Sequence, residues 1–291
     1  MNVSMNRIEK AGQIIMHCCM MILTIIFLYP IILTFMVSIS SERSVILDGY
    51  RLFPREFSLD AYKTVFLSPF VIRAYGVTLT TTIFGTVLSV IICGAAGYAI
   101  SLQRVKYRNA VAMFFYIPMV FNAGLVPWYL VCTQILHLRN NFAALIVPAL
   151  VSSFNLFLMR NYFKTIPASI SESADIDGAH PLRTFFSIII PLSAPIIATS
   201  TLFISLGYWN SWTEALWFID NRNLYPLQYM LFRIQSQLEI IQMSGSLGGM
   251  QLPTQTFQIA TLFITIGPIV LVYPFVQKYF IKGIMIGAVK G

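Results

Sequence analysis

Charge is what this sequence has least of. Only 10% of its 291 residues are Asp, Glu, Lys or Arg, against about a quarter in a soluble domain, so its surface cannot mostly face water. Cysteine is sparse: Cys18, Cys19, Cys93 and Cys132 all fall inside apolar stretches, with no paired spacing in a loop. They read as small buried hydrophobes rather than disulfides or metal ligands. His17, His137 and His180 lie far apart and match no ligand pattern. A phosphate loop is missing too, since Lys63-Thr64 and Lys164-Thr165 have no glycine-rich turn ahead of them. Ser246-Leu-Gly-Gly-Met-Gln251 stands alone as a flexible turn. No nucleophile, base or metal ligands converge within the apolar runs, which argues against an intramembrane enzyme and calls for no cofactor. The net charge of +8 is scattered and not interleaved with stacking aromatics on polar segments, so nucleic acid is not the partner it implies.

What is present is apolar sequence in long runs. Hydrophobic residues make up 57% of the chain, and runs such as 14–39 and 74–102 exceed the eighteen or so residues that cross a bilayer as a helix. The pattern predicts one all-α integral membrane domain over 1–291 with six transmembrane helices, near 13–40, 73–102, 110–135, 142–159, 192–219 and 257–280. Its core covers about 73–280, and a C-terminal cytoplasmic tail covers about 281–291. The third span holds Pro118 and Pro127 and is expected to kink. Residues 137–141 read as a short turn and 220–256 as a long loop. The first run follows Arg7 and Lys10 but is about twice the length of a signal-peptide core, so it reads as a retained span.

Basic residues fix the orientation. With both termini cytoplasmic, the inner segments hold eleven of the nineteen basic residues, from Arg7 to Lys290, against four acids, Glu9, Glu172, Asp175 and Asp177. The outer segments hold eight basic residues and six acids over a longer stretch, so the positive-inside rule favours this arrangement. In the second span Gly85, Ser89, Cys93 and Gly97 recur every four residues. Such a stripe lets helix backbones approach closely in lipid, and it reads as a packing feature with no transport role.

The most informative stretch lies between spans four and five, at about 160–191. Pro167 suits a first helical turn, Ser169 or Ser171 offers a cap with acids clustered early, Gly178 ends the helix and Pro181 prevents its continuation. From the residues alone, a helix lying across the inner membrane face to dock a soluble partner and an ordinary interhelical loop fit equally. The same stretch resembles the coupling loop of bacterial ABC importer permeases, whose pattern is Glu-Ala-Ala, three residues, Gly, nine residues, then Ile-x-Leu-Pro. Here Glu172, Ser173 and Ala174 fill the triplet, Gly178 follows at the right spacing, and Ile188, Ile190 and Pro191 close it. Ser173 for Ala and Ile190 for Leu are mild departures. The surrounding Asp175-Ile-Asp-Gly-Ala179, the pair Trp209-Asn210 and the C-terminal Lys282-Gly-Ile-Met-Ile-Gly287 resemble the carbohydrate branch of that family, although the Glu of its Trp-Asn-Glu region is displaced here to position 214.

The resemblance implies a bacterial inner-membrane (cytoplasmic-membrane) permease subunit forming half of a pore and performing no covalent chemistry. It implies as partners a second homologous permease, two cytoplasmic ATPase subunits, an extracytoplasmic solute-binding protein, an oligosaccharide and the membrane lipid. Glu172, Ser173, Ala174, Asp177, Gly178 and Pro191 would form the ATPase-coupling element. The tail would also reach the ATPase dimer, as in the maltose transporter. The C-terminal pattern further resembles permeases for oligosaccharide and polysaccharide uptake, including acidic sugars such as alginate or pectin fragments.

A substrate path is read from the fifth span. Gly207, Asn210, Glu214 and Trp217 recur at helical spacing on one face, and an acid within a span, costing roughly 3 kcal/mol against lipid, usually faces a cavity. Hydroxyls and sugar rings suit hydrogen-bonding groups beside an indole. An interfacial aromatic belt accounts for the same residues equally well. Arg73, Arg222 and Arg233 lie near the expected outer face, where they would attract an anion. The rival overall reading is a secondary solute transporter without an ATPase, which would want buried ion-coordinating acids, and Glu214 is the one strong candidate.

Overall fold

The structure is a computed structural model that describes residues 7–244 and 255–288, with side chains over 12–236 and 255–271. Its elements are helical, and the β pairing among the described residues is an isolated antiparallel bridge between Ser40 and Phe57. In chain order the first helices are α1 (Arg7–Ser38), α2 (Glu42–Asp48), α3 (Asp60–Leu67), α4 (Pro69–Ser101), α5 (Arg108–Val120), α6 (Leu125–Leu130) and α7 (Ser153–Phe163). They are followed by α8 (Ala168–Ile176), α9 (Pro181–Thr184), α10 (Ile190–Leu192), α11 (Ala194–Trp209), α12 (Thr213–Phe218), α13 (Leu227–Ser244) and α14 (Gln255–Ala288).

Two helices, over Gly12–Ser38 and Pro69–Ser101, are each long and apolar enough to cross a bilayer. Three further apolar stretches are bent pairs. Arg108–Val120 and Leu125–Ile135 meet at 118°, Phe142–Ala149 and Ser153–Phe163 at 48°, and Pro181–Leu192 and Ala194–Trp209 at 90°. The expected kink in the third run is therefore a full break. Pro118 and Pro127 remove helical donors on either side of it, and Gly124 supplies a left-handed φ of 88° between them. Pro191 and Pro195 do the same work at the 90° bend, immediately after a π-helical turn at Phe185–Ile189.

Two compact units emerge: Met1–Ser68 with Ile234–Thr265, and Pro69–Arg233 with Ile266–Gly291. In the first unit, Glu42 caps the start of α14. Its carboxylate accepts from the backbone N–H of Gln255 (3.0 Å) and Thr256 (2.9 Å) and from the Thr256 hydroxyl (2.6 Å). These are donors the helix leaves unpaired at its N-terminus, where negative charge is favoured. Phe35 meets Phe263 edge-on at 5.5 Å, and Ser38 bonds the Tyr62 hydroxyl at 2.8 Å.

The second unit is built on α4, packed against α7 and α11. The small-residue stripe is where these helices meet, as its spacing predicts. A Cβ on Gly85 would lie 2.6 Å from the Tyr208 ring on α11, and one on Gly97 would lie 3.0 Å from the Leu156 carbonyl oxygen on α7. Ser89 bonds the Tyr208 hydroxyl at 3.2 Å, and that hydroxyl donates to the Ile146 carbonyl at 3.0 Å. Around Cys93, Leu156, Met159, Phe163, Phe185 and Ile189 the unit forms a dry core. Packing and satisfied polar groups, rather than expulsion of water, hold such helices together in lipid.

Three expectations are corrected. Cys18 and Cys19 are exposed on α1, because that helix presents almost its whole girth outward; Cys93 and Cys132 are buried as expected. Much of 220–256 is helix rather than loop: α13 occupies Leu227–Ser244, its apolar Leu227, Met230, Leu231 and Ile234 recurring at helical spacing within a segment polar enough on average to pass for a loop. The flexible turn at 246–251 lies outside the described residues. Finally, the fifth run is not one helix to residue 219, because α11 stops at Trp209 and α12 starts at Thr213.

Candidate functional site: the α8 segment and the α11–α12 break

The segment between α7 and α9 folds as a short, sharply bounded helix. Pro167 is the residue before its first turn rather than in it, no side chain caps its N-terminus, and its first turn carries no acid, so the expected serine cap is corrected. Ser171 is buried instead and bonds the Tyr98 hydroxyl of α4 at 3.2 Å. The C-terminus is as predicted. Gly178 takes φ +75°, the Ala179 N–H donates to the Ala174 carbonyl (2.9 Å), and the Gly178 N–H donates to that of Asp175 (3.0 Å). This pair of bonds is a Schellman closure, and the left-handed φ is why glycine stands there. Pro181 then opens α9 behind a His180 cap whose Nδ1 accepts from the Leu182 N–H.

The predicted α8 residues divide by face. Glu172, Ser173, Asp177 and Gly178 are exposed, whereas Ala174 is 5% exposed and faces inward with Ser171. Between the outward polar groups Ile176 stands 86% exposed. Pro191 is exposed on α10, beyond the π-turn, and belongs to the bend rather than to this helix. The inward face is fastened: Arg104 forms an ion pair with Asp175, and Tyr98 stacks on Phe185 at 5.6 Å while meeting Phe163 edge-on at 6.0 Å. Tyr98, Arg104 and Phe185 escaped the sequence reading because each is an ordinary residue in its own segment.

At the other end of α11 the chain breaks at Asn210. Its side-chain amide donates to the Leu206 carbonyl (2.9 Å) alongside its own backbone N–H (3.1 Å), and its Oδ1 accepts from Gln228 Nε2 (3.4 Å). Glu214 lies in the first turn of α12, accepting from the Ser211 and Thr213 hydroxyls. Trp217 is 40% exposed. Asn210, Glu214 and Trp217 thus do not share one helical face, and no hydrogen bond or ring contact joins them among the described residues. Helical spacing misleads once the backbone turns. What the break does assemble is an aromatic row: Trp212 stacks on Phe232 at 4.5 Å, and Phe232 on Tyr229 at 6.4 Å. Gln228, Tyr229 and Phe232 sit on α13, in the stretch read as loop. Arg73 bonds Asn223, Arg233 lies 5.7 Å above the Tyr225 ring, and Arg222 is exposed.

Long apolar helices and sharply bent apolar pairs, as the described residues form them, are consistent with an integral membrane permease. The chain belongs to the binding-protein-dependent transport system inner membrane component family, whose pattern matches residues 91–286. It is 34% identical to Protein LplC of Bacillus subtilis (strain 168), over 97% of each chain. It is 33% identical to that organism's polygalacturonan/rhamnogalacturonan transport system permease protein YtcP, over 97% of this chain and 99% of that one. The crystal structure of a bacterial ABC transporter involved in the import of the acidic polysaccharide alginate includes a chain of the same fold. The TM-score is 0.86 at 32% identity, with 96% of this chain and all of the other covered. As a permease subunit of that family this chain is not an enzyme, and ATP is hydrolysed by separate subunits, which sets aside the secondary-transporter reading.

Proposed function

We propose that this chain is one half of the pore of an ATP-driven importer for oligosaccharides, acidic ones such as alginate or pectin fragments among them. It crosses the inner membrane six times with both termini cytoplasmic and works beside a second homologous permease, two ATPase subunits and a solute-binding protein. The observation that carries the reading is α8. Its outward face joins Glu172, Ser173 and Asp177 to the 86% exposed Ile176, its end is fixed by Gly178, and its inward face is fastened to α4. A surface both apolar and polar, on a helix rooted in the spans, suits docking to a soluble subunit that must push or pull. Glu172, Ser173, Asp177 and Gly178 make that contact, Ala174 supports it from within, and Pro191 fixes the bend into α11.

For substrate, the relatives' names supply the chemistry and the α11–α12 break supplies a surface that suits it. Asn210 with Gln228 offers donors and acceptors for hydroxyls, Trp212 and Phe232 offer stacked faces for sugar rings, and Glu214 and Trp217 extend the path along α12. Arg222 gives an acidic sugar an exposed cation. Uptake by the assembled complex in proteoliposomes tests the reading. Labelled oligouronates should accumulate only with ATP and the ATPase subunits present, and in preference to neutral maltooligosaccharides. Equal uptake of both would remove the acidic preference, and uptake without ATP would remove the mechanism.

A further inference from the structure

A cavity of about 470 Å³ opens beside α8, where α4 and α7 end. Four cations, Arg104, Arg108, Arg160 and Lys164, and two carboxylates, Glu172 and Asp175, line it. Arg104 pairs with Asp175, and no ion pair engages Arg108, Arg160 or Lys164 among the described residues. The Nε of Arg160 is buried without a hydrogen-bond partner, and its guanidinium leans over Phe157 at 5.6 Å. Leaving a charged donor dry and unpaired is costly, so such a group points to a missing partner. Partial loss of water, then the neighbouring Arg160 and Arg108, lowers the Lys164 pKa from its usual value. The lining keeps more cations than carboxylates, four against two, and the excess repels itself until a further anion joins it.

We infer that this cavity binds a phosphate-bearing anion, held by Arg108, Arg160 and Lys164 beneath α8. Guanidinium groups match phosphate oxygens with paired donors, and the ammonium adds a point charge. The cavity lies where two apolar helices end, the level at which lipid phosphates sit, and basic pockets between spans commonly take anionic headgroups. The binding chemistry stands on this chain alone. Only its placement at the cytoplasmic leaflet rests on the topology proposed above.

Two sources supply the chemistry, an anionic phospholipid and soluble phosphate, and one experiment separates them. The complete complex is purified in detergent, stripped of lipid, and titrated with spin-labelled phosphatidylglycerol, with spin-labelled phosphatidylcholine, and with radiolabelled inorganic phosphate. Phosphatidylglycerol should bind on the order of tenfold more tightly than phosphatidylcholine, and R108Q/R160Q/K164Q should lose that preference. K164R, which keeps the charge, should retain it. Binding of inorganic phosphate alone, lost in the same variant, supports a soluble source. Should the triple variant fail to assemble, the single changes R108Q and K164Q should each weaken binding several-fold. The inference is overturned if neither probe binds, if the variants bind as the native complex does, or if the variants lose only the ATPase subunits. A complex that imports sugar yet binds neither probe refutes the site while leaving the proposed function intact.

Discussion

Tyr208 shows how much one side chain settles in this chain. Its ring lies where a Cβ on Gly85 would be, and its hydroxyl is shared between Ser89 and the Ile146 carbonyl. Gly85→Ala should therefore cost about 1–3 kcal/mol, read as a lower melting temperature of the purified complex, and much of the loss should return when Tyr208→Leu makes room. An unchanged melting temperature would mean the ring moves freely aside. Gly178 is the second such residue, because its φ of +75° strains any side chain placed there. On the proposed reading Gly178→Asp abolishes uptake and substrate-stimulated ATP hydrolysis while the subunit still inserts. Normal stimulation in reconstituted complexes would separate α8 from coupling. Gly178 was legible in the sequence because a helix stop is a local event. Tyr98 was not, since its meaning comes from Ser171 and Phe185, distant in the chain.

Among the elements, breaks and caps decide more than length does. Glu42 reaches across the chain to close the start of α14 with three hydrogen bonds. Glu42→Ala should cost about 1–3 kcal/mol and speed amide exchange over 255–258, whereas slow exchange there would mean the helix start holds by itself. Apolar runs announced α1 and α4 because continuous hydrophobicity needs no partner to be read. The same runs concealed the break at Asn210, which hydropathy does not register, and α13, whose polar face diluted its apolar stripe. If the break carries substrate, Asn210→Ala and Trp212→Ala should each lower apparent affinity a few-fold to about tenfold, with complex assembly and basal ATP hydrolysis nearly intact. Normal transport by both would leave the row as an interfacial belt.

For the whole molecule, the all-helical class and the family were legible early because long apolar runs and one spaced motif are both linear features. The bends of 118°, 48° and 90° were not, apart from the prolines that mark two of them. The proposed topology is checked with single cysteines in a background lacking Cys18, Cys19, Cys93 and Cys132. Lys106→Cys should resist an impermeant maleimide in intact cells and Arg222→Cys should react; the reverse pattern would invert the chain. One joint in this molecule also has a mechanical character. Tyr98 holds α8 through a 3.2 Å hydrogen bond and the π-turn through rings 5.6 Å apart. A hydrogen bond fails within a few tenths of an ångström, while aromatic pairs stay attractive over about 4.5–7 Å. On the proposed reading the joint is therefore tighter toward α8 than toward the π-turn: a stroke of the short helix would reach α4 first, and slack would be taken up at the hinge that leads into α11.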